Sequence, residues 1–191
     1  MNHDIAFTRS TMLTSSALDI VSACSLKALF WRPMFLRADP VLCHTPFLFW
    51  LTEALQPKVV VDLGAGSGVA HFAFCQAAEK LGLDARCIGI DAWRTGLSRD
   101  AEQYNATHYG EFGRLVQCDP AQAHDQFADG SVDILNIRLP EEEAAFLTLL
   151  QQWLPKLSES AVLIVQGVRG QAWNVAGRTL LKGPDSEYPG I

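Results

Sequence analysis

Val59-Val60-Val61-Asp62-Leu63-Gly64-Ala65-Gly66-Ser67-Gly68 is the stretch that decides the fold. A short β-branched run reads as a buried strand of a parallel sheet, and glycines at alternate positions let the backbone turn tightly against a ligand before a helix begins. Such a turn cradles a nucleotide. The dinucleotide fingerprint needs glycines at the first, third and sixth positions of the turn, whereas here the fifth is Gly68 and the sixth Val69. Asp62 stands just before the glycines, where a carboxylate repels a pyrophosphate but accepts hydrogen bonds from a cationic amino group. Val69 and Asp62 together disfavour a nicotinamide-dependent oxidoreductase.

Outward from this turn, strands and helices alternate. Upstream, Thr45 as N-cap and Pro46 at the first helical position open a helix that Pro57 stops. Downstream, a helix is expected over Ser67 to Leu81, ended by Gly82, and then a strand over Ala85 to Ile90 ending in Asp91. Asp91 comes about two dozen residues after the glycines, where a carboxylate can accept both hydroxyls of a ribose. Ser98 caps a polar helix, Arg114 to Cys118 forms a third strand ending in Asp119-Pro120, and Val132 to Ile137 a fourth. Glu141 to Leu154 reads as an amphipathic helix and Ala161 to Gln166 as a fifth strand. Five strands alternating with helices make a doubly wound, mostly parallel α/β sheet.

At the ends the pattern weakens. Residues 1–16 read as a flexible arm before a single domain over 17–191, Ala17 to Phe30 as a loosely periodic helix, and Trp31 to Leu36 as an aromatic packing cluster held out of helix by Pro33. Gly167 to Ile191 scarcely has room for the two further strands a complete fold of this class needs, so the C-terminal edge is expected to be truncated or completed by a partner.

Among 191 residues, a net charge of −6 argues against a general nucleic-acid binder. Cys24, Cys43, Cys75, Cys87 and Cys118 form no C-x-x-C pair and read as reduced core thiols, with no metal site. No apolar run approaches the ~20 residues of a membrane span, and a cytoplasmic protein is expected.

Strand, acid, glycine triplet and helix resemble the first motif of class I S-adenosylmethionine (SAM)-dependent methyltransferases, in which the glycine loop lies under the methionine and ribose parts of the cofactor. The resemblance implies that SAM is held by Asp62, Gly64, Ala65, Gly66, Ser67, Gly68, Asp91, Ala92 and Trp93, with Asp119 at the adenine. The Trp31-Arg32-Pro33 region, Val61 to Gly68, Gly89 to Trp93 and Trp153 to Leu157 are similar to a narrower group: methyltransferase-like domains that stand alone or are joined to glycosyltransferases in bacterial surface-polysaccharide pathways. That resemblance implies a small-molecule or sugar-linked acceptor and a fused or separate glycosyltransferase partner; a homodimer is the other expected partner.

Members of that group often close the fourth strand with Ile-Asp-Gly followed by a histidine and the fifth with His-Asp. This chain has Ile137-Arg138-Leu139, Glu141 at the place of the histidine, and Gln166-Gly167. Gln166 cannot accept a proton and Arg138 would repel a metal. The catalytic base is therefore open among His108, Tyr109, Glu141 and His124, and a degenerate binding or assembly module in polysaccharide biosynthesis is the alternative to an active enzyme.

Overall fold

The computed structural model describes residues 27–94, 98–138 and 143–167. The strands β1 (Val59–Leu63), β2 (Arg86–Asp91), β3 (Gly113–Gln117), β4 (Val132–Arg138) and β5 (Leu157–Gln166) form one sheet in the order β3-β2-β1-β4-β5. Every neighbouring pair is parallel. The chain walks outward from β1 to β3, then crosses back to lay β4 on the other side of β1. The carboxyl ends of β1 and β4 therefore flank a topological switch point, where open α/β sheets bind their ligands. The expected doubly wound fold is the observed one.

Helices α1 (Thr45–Leu55) and α2 (Val69–Leu81) cover one face and α4 (Glu143–Trp153) the other, while α3 (Arg99–His108) packs beside α2. Strand β1 divides its side chains between the layers: Val60 joins Leu48, Phe49 and Phe74, whereas Val59, Val61 and Leu63 join Phe146, Leu150 and Trp153. With both faces covered, all five residues of β1 are buried, which explains the unbroken apolar run around Asp62. Each fully buried aliphatic or aromatic side chain contributes about 1.5–3 kcal/mol. Trp153 also donates its indole N–H to the Pro120 carbonyl at 3.0 Å, tying the end of α4 to the loop after β3.

Of the expected packing cluster over residues 31–36, Trp31 and Phe35 pack inward, whereas Met34 and Leu36 are exposed. Trp31 tilts against Phe49 with ring centroids 5.9 Å apart, and Phe35 sits 4.4 Å from Phe72. Buried Gln76 of α2 fastens this segment at both ends of its amide, accepting from Met34 N at 2.8 Å and donating to Arg32 O at 2.9 Å.

Several boundaries differ from expectation for local reasons. Thr45 does not cap α1; its hydroxyl turns back to the Leu42 carbonyl, and Asp39 instead caps a preceding 3-10 turn, Pro40–His44, by accepting from Val41 N. Ser98 occupies the N-cap of α3 without a side-chain bond to the helix. Strand β5 begins at Leu157 because the 3-10 turn Leu154–Lys156 feeds directly into it; its polar start, Ser158 to Ser160, lies on the outermost strand among the described residues. Cys75 and Cys87 are buried thiols, but Cys43 is exposed on the Pro40–His44 turn. Ala28–Phe30 is a 3-10 turn rather than the end of an α-helix. The expected arm over 1–16, most of the Ala17 to Phe30 helix and the C-terminal edge beyond Gly167 lie outside the described residues.

Asp133 joins three strands at their amino ends. Its carboxylate accepts from Lys58 N, Val59 N and the Ser158 hydroxyl at 2.8, 3.0 and 2.9 Å. Partial burial opposes ionisation, yet these three donors outweigh it and hold the carboxyl below the usual value of 3.8. The folded state therefore releases this proton more readily than the unfolded one. Its contribution is complete above the unfolded pKa and disappears as pH falls through the lower folded value. Asp133→Ala should cost about 1–3 kcal/mol in a urea melt at pH 7, with the deficit shrinking in acid below pH 4. A deficit that stays constant into acid would show that packing, and not the carboxylate, is responsible.

Candidate active site at the carboxyl ends of β1, β2 and β4

The turn from β1 to α2 is built on glycines with positive φ: +73° at Gly64 and +85° at Gly68. Space confirms what the backbone requires. A Cβ on Gly64 would lie 3.0 Å from Arg138 Cβ, and one on Gly68 would strike the Phe72 ring at 2.8 Å. Ligand approach is thus not the sole reason for the glycine pattern; the protein's own β4 and α2 press on the turn as well.

Asp91 holds the turn from the β2 side. One carboxylate oxygen accepts from Gly66 N at 2.9 Å, the other from Trp93 N at 2.8 Å. A carboxylate has about four acceptor positions, so lone pairs remain for a vicinal diol. Trp93, at φ +33°, folds back so that its indole N–H reaches the Gly66 carbonyl at 2.9 Å. Ala92 contributes its carbonyl, which accepts from Gln117. Ala65 is buried, and Ser67 turns away from Asp91 to donate to Asp39 Oδ2 at 2.7 Å.

Asp62 is 2% exposed. Its Oδ1 accepts from the Asn136 amide at 2.6 Å, while Oδ2 is buried without a hydrogen-bond partner among the described residues. Gln166 in turn donates to Asn136 Oδ1 at 2.7 Å, completing a polar row across β1, β4 and β5. Burial pushes the Asp62 carboxyl up to about 6; the Asn136 hydrogen bond and the Arg138 charge offset part of this, and the Asp91 charge adds to it. A buried acceptor with an unused oxygen beside a glycine turn is a place for a donor.

Arg138 ends β4 and reaches across the turn. Its Nε donates to Gly64 O at 3.1 Å and its Nη2 to Asp39 Oδ2 at 2.9 Å. Although burial opposes its ionisation, Asp39 is held below the usual carboxylate range by Ser67, Val41 N and Arg138. Two cavities open on either side of this arginine. The smaller, about 280 Å³, is lined by Gly64, Asp119, Pro120, Ala121 and Leu149 together with Arg138. The larger, about 450 Å³, lies between the Pro40–His44 turn, α1 and the end of β5, with Val41, Phe47, Leu48 and Ile164 as apolar wall and His44, Gln166 and Arg138 as polar groups.

The candidate bases fall elsewhere. Tyr109 is buried in the α2–α3 core, where burial raises its hydroxyl pKa, and exposed His108 stacks beside Tyr104. His124 binds the Ala121 carbonyl through Nδ1 at 2.9 Å and pairs with Asp125. None of the three lines either cavity. Glu141 lies outside the described residues. Gln166 and Gly167 do line the larger cavity. Asp39, His44 and Asn136 were not singled out from sequence. An asparagine inside the apolar run of β4 was the one available signal, since a polar residue in a fully covered strand needs a partner.

A family model described as "Methyltransferase domain" matches residues 61–166, more than half of the chain. The uncharacterized protein y4gI of Sinorhizobium fredii is 30% identical over 131 residues, which are 64% of this chain; the chain spans only 14% of that relative's length. Among solved structures, a candidate caffeoyl-CoA O-methyltransferase from Staphylococcus aureus superposes with a TM-score of 0.60 at 16% identity, covering 88% of both chains. A SAM-dependent O-methyltransferase from Thermotoga maritima gives 0.56 at 16% identity over 78% of this chain and 52% of its own. Precorrin 8W decarboxylase of Methanobacterium thermoautotrophicum gives 0.52 at 19% identity over 70% and 69%. At such identities these likenesses establish the shared fold, which serves more than one chemistry.

Because the folded pKa of Asp62 exceeds the unfolded 3.8, the native state holds the proton longer and stability falls as pH rises from 3.8 to about 6. Asp62→Asn should remove this slope. Subtracting the variant's unfolding free energy from that of the native protein should give a difference that drops by about 2–3 kcal/mol between pH 4 and 7. A pH-independent difference would mean that Asp62 is ionised at an ordinary pKa.

Proposed function

The chain belongs to the methyltransferase domain family, and from that premise we propose that it transfers a methyl group from SAM to a small acceptor bound in the larger cavity. The observation that carries this reading is the glycine turn clamped between Asp91 and Arg138, with the orphaned Asp62 oxygen beneath it. These residues suit the cofactor's chemistry. Asp91 keeps lone pairs for the ribose hydroxyls, Asp62 offers an acceptor for the ammonium, and Asp119 lines the smaller cavity with Gly64, where an adenine amine would find a carboxylate. Trp93 and Ala92 contribute by shaping the Asp91 loop. Bound there, SAM supplies a methyl group on a sulfonium, an electrophile that needs a well-placed nucleophile more than it needs strong acid or base assistance.

The larger cavity supplies that placement. Val41, Phe47, Leu48 and Ile164 exclude water from one side of an acceptor, and Gln166, locked by its bond to Asn136, can orient a hydroxyl with its carbonyl oxygen. His44, exposed on the same wall, is the group there that can take a proton from an alcohol. The lining favours an acceptor with an apolar face. A sugar-linked acceptor of the polysaccharide type satisfies this if the CH-rich face of a ring lies on Phe47 and Val41. Among the described residues no helix is long and apolar enough to cross a membrane, so such an acceptor would be reached without a span in this part of the chain.

A non-catalytic binding module is the second reading. Its support is Arg138, which stands where the group resembled from sequence carries an acid and already fills part of the glycine turn with its own side chain. The readings separate by titration. Calorimetry with SAM should show micromolar binding, weakened at least tenfold in Asp91→Asn, which retains the shape and loses the charge. Turnover with hydroxylated aromatic or glycosidic acceptors, reduced in His44→Ala, would establish the enzyme. A folded protein that binds neither SAM nor its demethylated product would overturn the reading.

A further inference from the structure

Arg138 commits few of its donors to the protein. A guanidinium carries five N–H groups. Among the described residues its bonds use Nε, on Gly64 O, and Nη2, on Asp39 Oδ2, which leaves donors on Nη1 and on the other side of Nη2. The head lies over the turn itself: a Cβ built on Gly66 would fall 3.5 Å from Cζ and 3.6 Å from Nη2. The side chain remains 38% exposed, and it is shared by both cavities. A planar, partly solvated cation with unused donors, set in the wall between two cavities, is shaped for a second carboxylate.

We propose that Arg138 is the receptor for the carboxylate of the cofactor's amino-acid part, and that Asp39 serves as its counter-charge. The proposal rests on the reading of the glycine turn as a SAM site. The carboxylate it invokes is the anionic group of a ligand whose ammonium and ribose hydroxyls already have acceptors in Asp62 and Asp91. Asp39 gives the arrangement its second property. An uncompensated guanidinium on this turn would repel a sulfonium as strongly as it attracted a carboxylate. The Asp39 side chain, 5% exposed and 2.9 Å from Nη2, cancels that charge while leaving the remaining N–H donors in place. The pair can therefore accept a carboxylate without discriminating against a positively charged sulfur beside it. Ser67, donating to the same Asp39 oxygen, fixes the counter-charge to the turn.

The experiment is a calorimetric titration of the full chain with SAM, with decarboxylated SAM, which keeps the ammonium and sulfonium and lacks only the carboxylate, and with S-adenosylhomocysteine. The native protein should bind SAM about ten- to a hundredfold more tightly than the decarboxylated form, the range of a charge-assisted hydrogen bond. Arg138→Gln should bind the two within about twofold of each other, and Arg138→Lys, which keeps the charge and loses the fork, should fall between. Asp39→Asn should weaken SAM more than S-adenosylhomocysteine, which keeps the ammonium and carboxylate but has a neutral sulfur. If the native protein binds SAM and its decarboxylated form equally, or if Arg138→Gln weakens both by the same factor, Arg138 is only a strut for the turn and the proposal is overturned. That holds too if its partner is a carboxylate on the acceptor, because no acceptor is present in the titration. The comparison within the native protein stands even if a variant fails to fold, as judged by circular dichroism. Binding of none of the three ligands would instead overturn the cofactor reading itself.

Discussion

The turn between β1 and α2 is held from both sides, and the site exists only while that grip lasts. From β2, Asp91 takes the Gly66 N–H; from β4, Arg138 takes the Gly64 carbonyl. Neither contact is local in sequence, and each requires the sheet order that places β2 and β4 on opposite flanks of β1. The parallel sheet is thus more than a scaffold beneath the site. Its crossover brings two oppositely charged side chains to a glycine-rich backbone segment whose one polar side chain, Ser67, reaches Asp39.

Charge accounts for much of the remaining arrangement. Asp39, Asp62 and Asp91 all border the glycine turn, and they are not equivalent. Asp39 and Asp91 each accept from two or more donors, whereas Asp62 is buried with one carboxylate oxygen unpartnered among the described residues, so its charge is costly. A residue that lowers stability where an apolar one would fit is a mark of function, because packing alone gives no reason to place a carboxylate inside β1. The Asn136–Gln166 row gives Asp62 one partner and stops short of giving it two.

Sequence periodicity revealed the sheet because burial on both faces leaves its signature in single strands: the Val59 to Val61 run, and the acid that closes β2. The glycine turn was legible for the same reason, since positive φ restricts residue choice locally. What escaped was everything produced by distance along the chain. Asp39 meets Ser67 and Arg138 across separations of 28 and 99 residues, and no local pattern announces such a meeting. His44 sits on a 3-10 turn whose cap is an Asp-Pro pair, a signal that reports a turn but not what the turn faces. Tyr109 and His108 looked like site residues because they are polar aromatics in an insert. Core packing between α2 and α3 claims the first, and solvent the second.

Residues 31–44 carry no sheet and little helix, yet they form a wall of the larger cavity. They are fastened at several points: Trp31 on Phe49, the backbone of Arg32 and Met34 on Gln76, Phe35 on Phe72, Arg37 on Asp100, and Asp39 on the glycine turn. Between the fastenings, Leu36 and Met34 project freely. A strap secured in this way can drift in sequence, lengthen or shorten between its rivets while the Asp91 side of the glycine turn stays as it is. Evolution or a designer could then reshape the larger cavity by recutting a single ribbon, with Gln76 of α2 as the peg on which each new version must hang.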